Sequence, residues 1–169
     1  MRVFPEYCVE MARYNAWQNK QLRAAFDTLS DAELRKDRKA FFGSIFNTAN
    51  HILWADRMWM ARLGAGEAPD GDHLTLTPTP AAWAGERYKT DARLLHWAEK
   101  LNAVDLKSVV KWRSVMMDRE FEHPVDLCVT HLFNHQTHHR GQIHAMLTAA
   151  GASAPVTDIL FMPEDGPWL

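Results

Sequence analysis

Positions spaced three and four residues apart suit the buried side of a helix along four long segments of this chain. In the first segment these positions are Tyr7, Met11, Tyr14, Gln18 and Leu22. The pattern predicts four long helices, over about 5–28, 44–63, 80–101 and 124–150. The ends agree with helix-terminal chemistry. Pro5 suits a first helical position, Gly64 suits the left-handed residue after the second helix, and Thr79-Pro80 is a cap followed by proline.

Two shorter elements lie between the long helices, and an apolar run lies in the tail. Ser30 followed by Glu33 is a capping-box signature and predicts a short helix. Segment 107–123 favours a two-stranded hairpin, because several of its residues suit strands: Val109, Val110, Trp112, Val115 and Phe121. An isolated hairpin is only marginally stable, so we expect this one to lie against the bundle. The apolar run 159–162 in the tail is expected to pack across the bundle surface.

These elements predict an all-α protein. The expected fold is a four-helix bundle with a short extra helix and a small β-hairpin before the last helix. The long connection 65–80 permits a crossover between the second and third helices. A length of 169 residues suits one domain, so we expect a single domain over 1–169.

Composition and charge exclude several classes of partner. The net charge is −2 and no run of five like charges occurs, so neither a nucleic-acid footprint nor a membrane-docking stripe is present. Residues 1–7 lack the pattern of a signal peptide, and no apolar stretch is long enough to span a bilayer. Cys8 and Cys128 are too few for a disulfide framework. We therefore expect a soluble, cytoplasmic protein that binds neither nucleic acid nor membrane.

Histidines carry the candidate chemistry. His135 and His139 are four residues apart on the last helix, so their side chains lie on one face and can grip one metal ion. His51 lies on a strip of small, hydroxyl-bearing and apolar residues of the second helix and is expected to point into the bundle. Three neutral imidazoles suit zinc, nickel, copper or iron(II), and they leave a coordination position for water or substrate.

The spacing alone leaves other ligand pairs open. His135 can pair with His131, His138 or His139, whereas His131 and His139 are about 12 Å apart along the helix axis and cannot share an ion. His138 is the rival ligand, and His131 is a candidate for a residue that orients a metal ligand or carries a proton. A lone histidine on an apolar helix face is more often a hydrogen-bonded core residue than a metal ligand. We assign surface or capping roles to four others, His73, His96, His123 and His144.

Five further residues have both a functional and a structural interpretation. Gln142, one turn after His139, either orients a ligand or bonds to the helix backbone or a neighbouring helix. Arg140 and Asp56 point away from the histidine face, so we expect structural ion-pair or hydrogen-bond roles. Cys128 is expected to be a small buried hydrophobe. The tryptophans are expected in the core, although Trp54 is near enough to His51 to line a pocket.

Three segments resemble the motifs of the DinB family of metal-binding four-helix bundles. The last long helix resembles the fourth-helix motif of that family over LFNHQTHHRGQI, residues 132–143. The first-helix signature is similar to YNAWQN, residues 14–19. The second-helix signature is similar to FGSI and NHILWAD, residues 42–45 and 50–56. The resemblance covers nearly the whole chain, with the motifs in the family's order.

This resemblance implies an up-down-down-up bundle in which His51, His135 and His139 bind a divalent metal ion, zinc or nickel. It also implies a metal-dependent enzyme, because relatives include S-transferases that use mycothiol or bacillithiol. The expected activity is transfer of a low-molecular-weight thiol to a small electrophilic substrate. The alternatives are a metal-dependent hydrolase and a non-enzymatic, metal-binding, stress-associated dimer.

The family's dimers and the second helix together suggest a homodimer. Phe46, Leu53 and Met60 lie opposite His51, and a helix that is apolar all round is buried on two sides. A second subunit would cover this far side, and so would the short helix, the hairpin or the tail.

Overall fold

The computed structural model describes residues 2–114 and 117–169. This part of the chain contains six α-helices and one antiparallel hairpin, joined by connecting segments. The elements in chain order are α1 Pro5–Phe26, α2 Asp31–Arg35, α3 Ile45–Arg62, α4 Pro80–Lys100, α5 Ala103–Lys107, β1 Val109–Ser114, β2 Arg119–Pro124 and α6 Val125–Ala149. The predicted all-α class, the four long helices, the short helix and the hairpin before the last helix are confirmed.

Local signals set the helix ends. The hydroxyl oxygens of Ser30, Ser44 and Thr79 each accept a hydrogen bond from a backbone N–H of the first turn. Gly64 takes a left-handed φ of 74° just after α3. The short helix α5 was not predicted, although Asn102 and Asp105 form a capping box at its start.

The four long helices adopt the up-down-down-up arrangement. His51 of α3 lies beside His135 of α6. Trp59, two turns later on α3, lies beside His131, one turn earlier on α6, so these helices are antiparallel. α3 runs parallel to α4, and α1 runs parallel to α6. The order around the bundle is therefore α1, α4, α3, α6, with α1 antiparallel to α4.

Two apolar clusters fill the two ends of the bundle, and a buried polar layer separates them. One cluster includes Cys8, Met60, Leu94 and Phe133, and the other includes Leu22, Phe46, Trp83, Ile143 and Leu147. Between them, near the middle of each long helix, lie Asn15, Asn19, Asp56, Arg87, Asp91, Gln136 and Arg140, all nearly inaccessible to solvent. The histidines predicted as ligands lie at the level of this layer on α3 and α6.

Ion pairs and hydrogen bonds join the four helices through the polar layer. Arg87 Nη1 donates to Asp56 Oδ2 at 2.6 Å, and its Nη2 lies 2.8 Å from Asp91 Oδ1. Asn15 Nδ2 donates to Asp91 Oδ1 at 2.8 Å. Arg140 of α6 donates to Asn15 Oδ1. The structural roles predicted for Asp56 and Arg140 are confirmed.

The side of α3 opposite His51 is buried within the chain itself. Leu34 of α2 and Trp83 of α4 belong to the same apolar cluster as Phe46 and Leu53. The guanidinium of Arg35 also lies 4.6 Å above the Phe46 ring. The short helix and α4 therefore cover this side without a second subunit. Homodimer formation stays a prediction.

The hairpin lies against the bundle, as predicted. β1 pairs with β2 so that Trp112 faces Phe121, and Trp112 also contacts Trp59 of α3 with ring centroids 5.3 Å apart. Val115, which the sequence places with these strand residues, lies outside the described residues. No α-helix in the described part of the chain is both long and apolar enough to cross a lipid bilayer.

The expectation for the tail is wrong. Leu160 and Phe161, in the middle of the apolar run, are 90% and 70% exposed. Hydrogen bonds hold the tail instead, on both sides of that run. After it, the Lys20 ammonium donates to the carbonyls of residues 167 and 169. The Tyr14 hydroxyl donates to the carbonyl of residue 157 at 2.7 Å, and the Gln18 amide donates to the carbonyl of residue 156 at 2.8 Å. Polar attachment to backbone carbonyls leaves no pattern of apolar residues, so the sequence did not show it.

Arg87→Ala should lower the free energy of unfolding by about 3–5 kcal/mol, because it leaves the buried carboxylates of Asp56 and Asp91 without their guanidinium. Urea unfolding monitored by circular dichroism measures the loss. The control is Lys89→Ala on the same helix, where a solvent-exposed ammonium pairs with Glu86 and contributes little. Equal losses in the two variants would contradict the role given to the polar layer.

Candidate metal centre

Three ring nitrogens converge where α3 crosses α6. His51 comes from α3, and His135 and His139 come from successive turns of α6. One ligand-capable nitrogen from each ring lies within 4.8 Å of the other two. Among the residues that the structure describes, this is the only group of three or more histidine, cysteine or acidic side chains close enough to hold one ion. The structure thus brings together the three histidines that the sequence singled out.

The spacing of these nitrogens suits a first-row divalent metal ion. His51 Nε2 and His135 Nε2 are 3.2 Å apart. Two nitrogens bound to one tetrahedral zinc ion at about 2.05 Å lie about 3.3 Å from each other. The rings of His135 and His139 are also close, with centroids 4.4 Å apart. The His51–His135 pair already has the spacing that one ion requires, and an ion between the three rings would draw in whichever nitrogens lie farther apart, up to the 4.8 Å limit of the group.

A hydrogen bond to Gln142 fixes the orientation of His139. The amide oxygen of Gln142 accepts from His139 Nδ1 at 2.7 Å. With the proton on Nδ1, Nε2 of His139 is left with a free lone pair for a metal ion. The amide nitrogen of Gln142 lies 3.2 Å from His138 Nε2, to which it donates. Gln142 therefore bonds neither to the backbone nor to another helix, and His138, the rival ligand, lies outside the group.

His73 was assigned to the surface, and this assignment is wrong. It lies in the connection between α3 and α4, half-buried, with its Nδ1 2.9 Å from Nδ1 of His51. The indole of Trp54 is nearby, with its ring centroid 6.0 Å from that of His73. Sequence periodicity relates positions within a helix, so it gave no signal for a loop residue 22 positions away.

Phe42 covers one side of the cluster. Its ring centroid lies 4.1 Å from that of His51 and 5.2 Å from that of His139. The carbonyl of Phe42 accepts a hydrogen bond from the Asn47 side chain, and Gly43 turns the chain with a φ of 77°. The sequence gave Phe42 no role in the site, although it directly precedes the glycine and the cap of α3. The phenyl ring shields one side of the imidazoles from water.

Burial keeps the clustered histidines neutral. Desolvation, followed by the nearby His139 and His73, lowers the pKa of His51 to about 4. Desolvation and the neighbouring rings lower the pKa of His135 to about 3. The pKa of His139 is lowered as well, chiefly by burial. Since a metal ion binds the neutral imidazole, protons compete little with it near neutral pH.

Comparison with known proteins gives the family of this chain. The model of the DinB family matches residues 1–167. The chain belongs to the DinB family. It is 23% identical to "Protein DinB" of Bacillus subtilis (strain 168) over an alignment of 170 positions, which covers 94% of this chain and 96% of that protein.

A solved structure supports the fold of this DinB-family chain. A DinB-like protein from Bacillus cereus ATCC 10987 superposes with a TM-score of 0.70 and covers 92% of this chain and 99% of its own. The two sequences are 20% identical, so the likeness shows the shared fold alone.

The other candidates in this DinB-family chain lie around the cluster and outside it. His131 is exposed, with its ring 5.1 Å from Trp59 and 5.6 Å from His135, and it makes no hydrogen bond to the three clustered histidines. It therefore lies beside the cluster and does not orient any of the three rings by a hydrogen bond. Cys128 is 2% exposed, and burial raises the pKa of its thiol, as expected for a small buried hydrophobe.

The metal-free protein should lose stability as the pH falls from about 6.5 to 4. In this range unfolded histidines, with a pKa near 6.5, take up protons that folded His51 and His135 do not. The unfolded state then binds more protons, so the free energy of unfolding decreases with decreasing pH. Urea unfolding in the presence of a chelator at several pH values measures this slope.

His135→Gln should make that slope shallower than in the wild type. Burial raises the pKa of Asp91 to about 6, which acts in the opposite direction, but this contribution is common to both proteins and cancels in the difference. Identical slopes in the wild type and His135→Gln would show that His135 is protonated as easily in the fold as in the unfolded chain.

Proposed function

We propose that this DinB-family chain is a metal-dependent enzyme, a thiol-dependent S-transferase that acts on a small electrophile. His51, His135 and His139 are the ligands of its divalent metal ion, zinc or nickel. The observation that carries the proposal is the approach of three neutral ring nitrogens to within 4.8 Å of one another. Imidazole ligands suit both metals.

Three protein ligands favour a catalytic role over a structural one. Structural zinc sites are closed by four protein side chains, whereas catalytic sites keep a position for water or substrate. No fourth histidine, cysteine or acidic side chain joins the group within residues 2–114 and 117–169. His131 and His138 are exposed and lie beside His135 and His139. This side of the cluster is therefore where a small molecule approaches.

The chemistry follows from what a divalent ion does to a thiol. When bound, such an ion lowers the pKa of a thiol that reaches it, so that the sulfur is a nucleophile near neutral pH. The sulfur forms a bond to the electrophilic carbon, the leaving group departs with the electron pair of its own bond, and the thiol proton goes to solvent. Phe42 shields one side of the rings of His51 and His139, and Gln142 holds the His139 ring with Nε2 free for the metal ion.

Metal analysis of the purified protein tests the metal part of the proposal. The wild type, incubated with zinc or nickel and then desalted, should retain about one ion per chain, as expected for a single tri-histidine site. His135→Ala should lose nearly all of it, because every ligand pair on α6 uses His135. His144→Ala on the same helix is the matched control and should bind like the wild type. Absence of metal from the wild type would end the proposal.

Turnover with a chromogenic aryl halide tests the transferase part. Glutathione, bacillithiol and mycothiol are supplied in turn, with and without metal. The rate should depend on both the thiol and the metal for at least one thiol, and it should vanish in His135→Ala. Metal-dependent hydrolysis of an ester without any thiol would indicate the hydrolase instead. Stoichiometric metal with no turnover in either assay would indicate the non-enzymatic dimer.

A further inference from the structure

His73, in the loop that joins α3 to α4, contacts the ligand His51. The two Nδ1 atoms are 2.9 Å apart, which is hydrogen-bond distance, so one ring donates and the other accepts. Nε2 of His51 is on the opposite side of its ring and faces His135. His73 therefore contacts the side of His51 that faces away from the cluster, and its place in the site is that of a partner of the ligand.

Metal binding would determine which ring donates. A neutral imidazole carries one proton, so a metal ion at His51 Nε2 leaves the proton on Nδ1. That N–H then donates to Nδ1 of His73, which must carry its own proton on Nε2. The opposite arrangement, with His73 as the donor, puts the His51 proton on Nε2 and blocks the metal. The accepting form of His73 and the bound metal thus favour the same tautomer of His51.

Several hydrogen bonds hold the loop that carries His73. The Trp54 indole donates to the carbonyl of Gly71 at 3.2 Å, before His73 in the loop. After it, Asn50 Oδ1 accepts from the backbone N–H of Thr77 at 2.9 Å and from its hydroxyl at 2.7 Å. Trp54 and Asn50 both belong to α3 and flank His51. The loop is therefore fastened to the helix that carries the ligand, on both sides of His73.

We infer that His73 is a positioning residue for the metal ligand His51, and that it couples the metal to the loop 71–77. The inference rests on the metal part of the proposed function and is independent of the thiol. Ligand histidines in metal sites commonly donate their second N–H to a neighbouring group, and loss of that partner weakens metal binding about 10- to 100-fold. Because coupling is reciprocal, a metal that strengthens this hydrogen bond also holds the loop more firmly.

The test measures zinc affinity by competition with a chromophoric chelator in the wild type and three variants. His73→Ala should bind zinc about 10- to 100-fold more weakly. His73→Gln should recover most of the affinity, because its amide oxygen can accept from His51 Nδ1. The matched control is Thr75→Ala, which removes an exposed hydroxyl of the same loop and leaves the His51–His73 pair and the contacts of Trp54 and Asn50; it should bind zinc nearly like the wild type. Circular dichroism checks that each variant folds.

Two further measurements separate a positioning role from a loss of packing. Nitrogen-15 NMR of the zinc-loaded protein should show the His51 proton on Nδ1 in the wild type. Hydrogen exchange of residues 71–77 should slow on zinc addition in the wild type and in His73→Gln, but not in His73→Ala.

Three outcomes overturn the inference. One is a His73→Ala affinity no weaker than that of Thr75→Ala, and another is a His73→Gln variant as weak as His73→Ala. The third is a wild type that binds no zinc; if it binds no nickel either, the proposed function ends with the inference. If the wild type binds zinc and His73→Ala binds it equally well, the inference about His73 fails and the proposed metal site stands.

Discussion

The site depends on the register of α3 against α6, that is, on which residues lie side by side where the two helices cross. His51 meets His135 and His139 because these antiparallel helices cross at the middle of both. Each residue along a helix adds about 1.5 Å of rise and 100° of rotation, so a slip of even one residue would turn a ligand out of the cluster. The buried polar layer at the same level opposes such slips. Arg140, directly after His139, is held by Asn15 of α1, and Asp56 of α3 is held by Arg87 of α4.

The polar layer and the histidine cluster constrain each other through neighbouring residues. Buried ion pairs contribute little net stability compared with apolar packing, but breaking one is costly. A bundle filled only with apolar side chains tolerates several registers, whereas the pairs of Arg87 with Asp56 and Asp91 and of Arg140 with Asn15 form in one register. Because layer and ligands alternate along α6, a register that satisfies Arg140 also points His139 at His51. The helix register that stabilises the fold is therefore also the register that brings the ligands together.

The parts of the molecule governed by helix periodicity could be predicted from the sequence. The long helices, their caps, and the inward direction of His51 all follow from spacings within a segment. The i,i+4 relation of His135 and His139 does so too. The up-down-down-up order and the choice of ligands among the histidines came from the resemblance to the DinB family. Contacts that depend on a loop folding back were not predictable. His73 reaches His51 only because Trp54 and Asn50 fasten the loop, and Phe42 covers the rings because of the turn at Gly43.

A crystal structure of the zinc-loaded protein, with data recorded on both sides of the zinc absorption edge, tests the central claim most directly. The account predicts one anomalous peak between the rings, about 2.0–2.1 Å from a nitrogen of each of His51, His135 and His139. A position open to solvent or to an exchangeable ligand should complete the coordination. A peak that excludes His51, or no peak at this crossing in a protein that has bound zinc, would contradict the account.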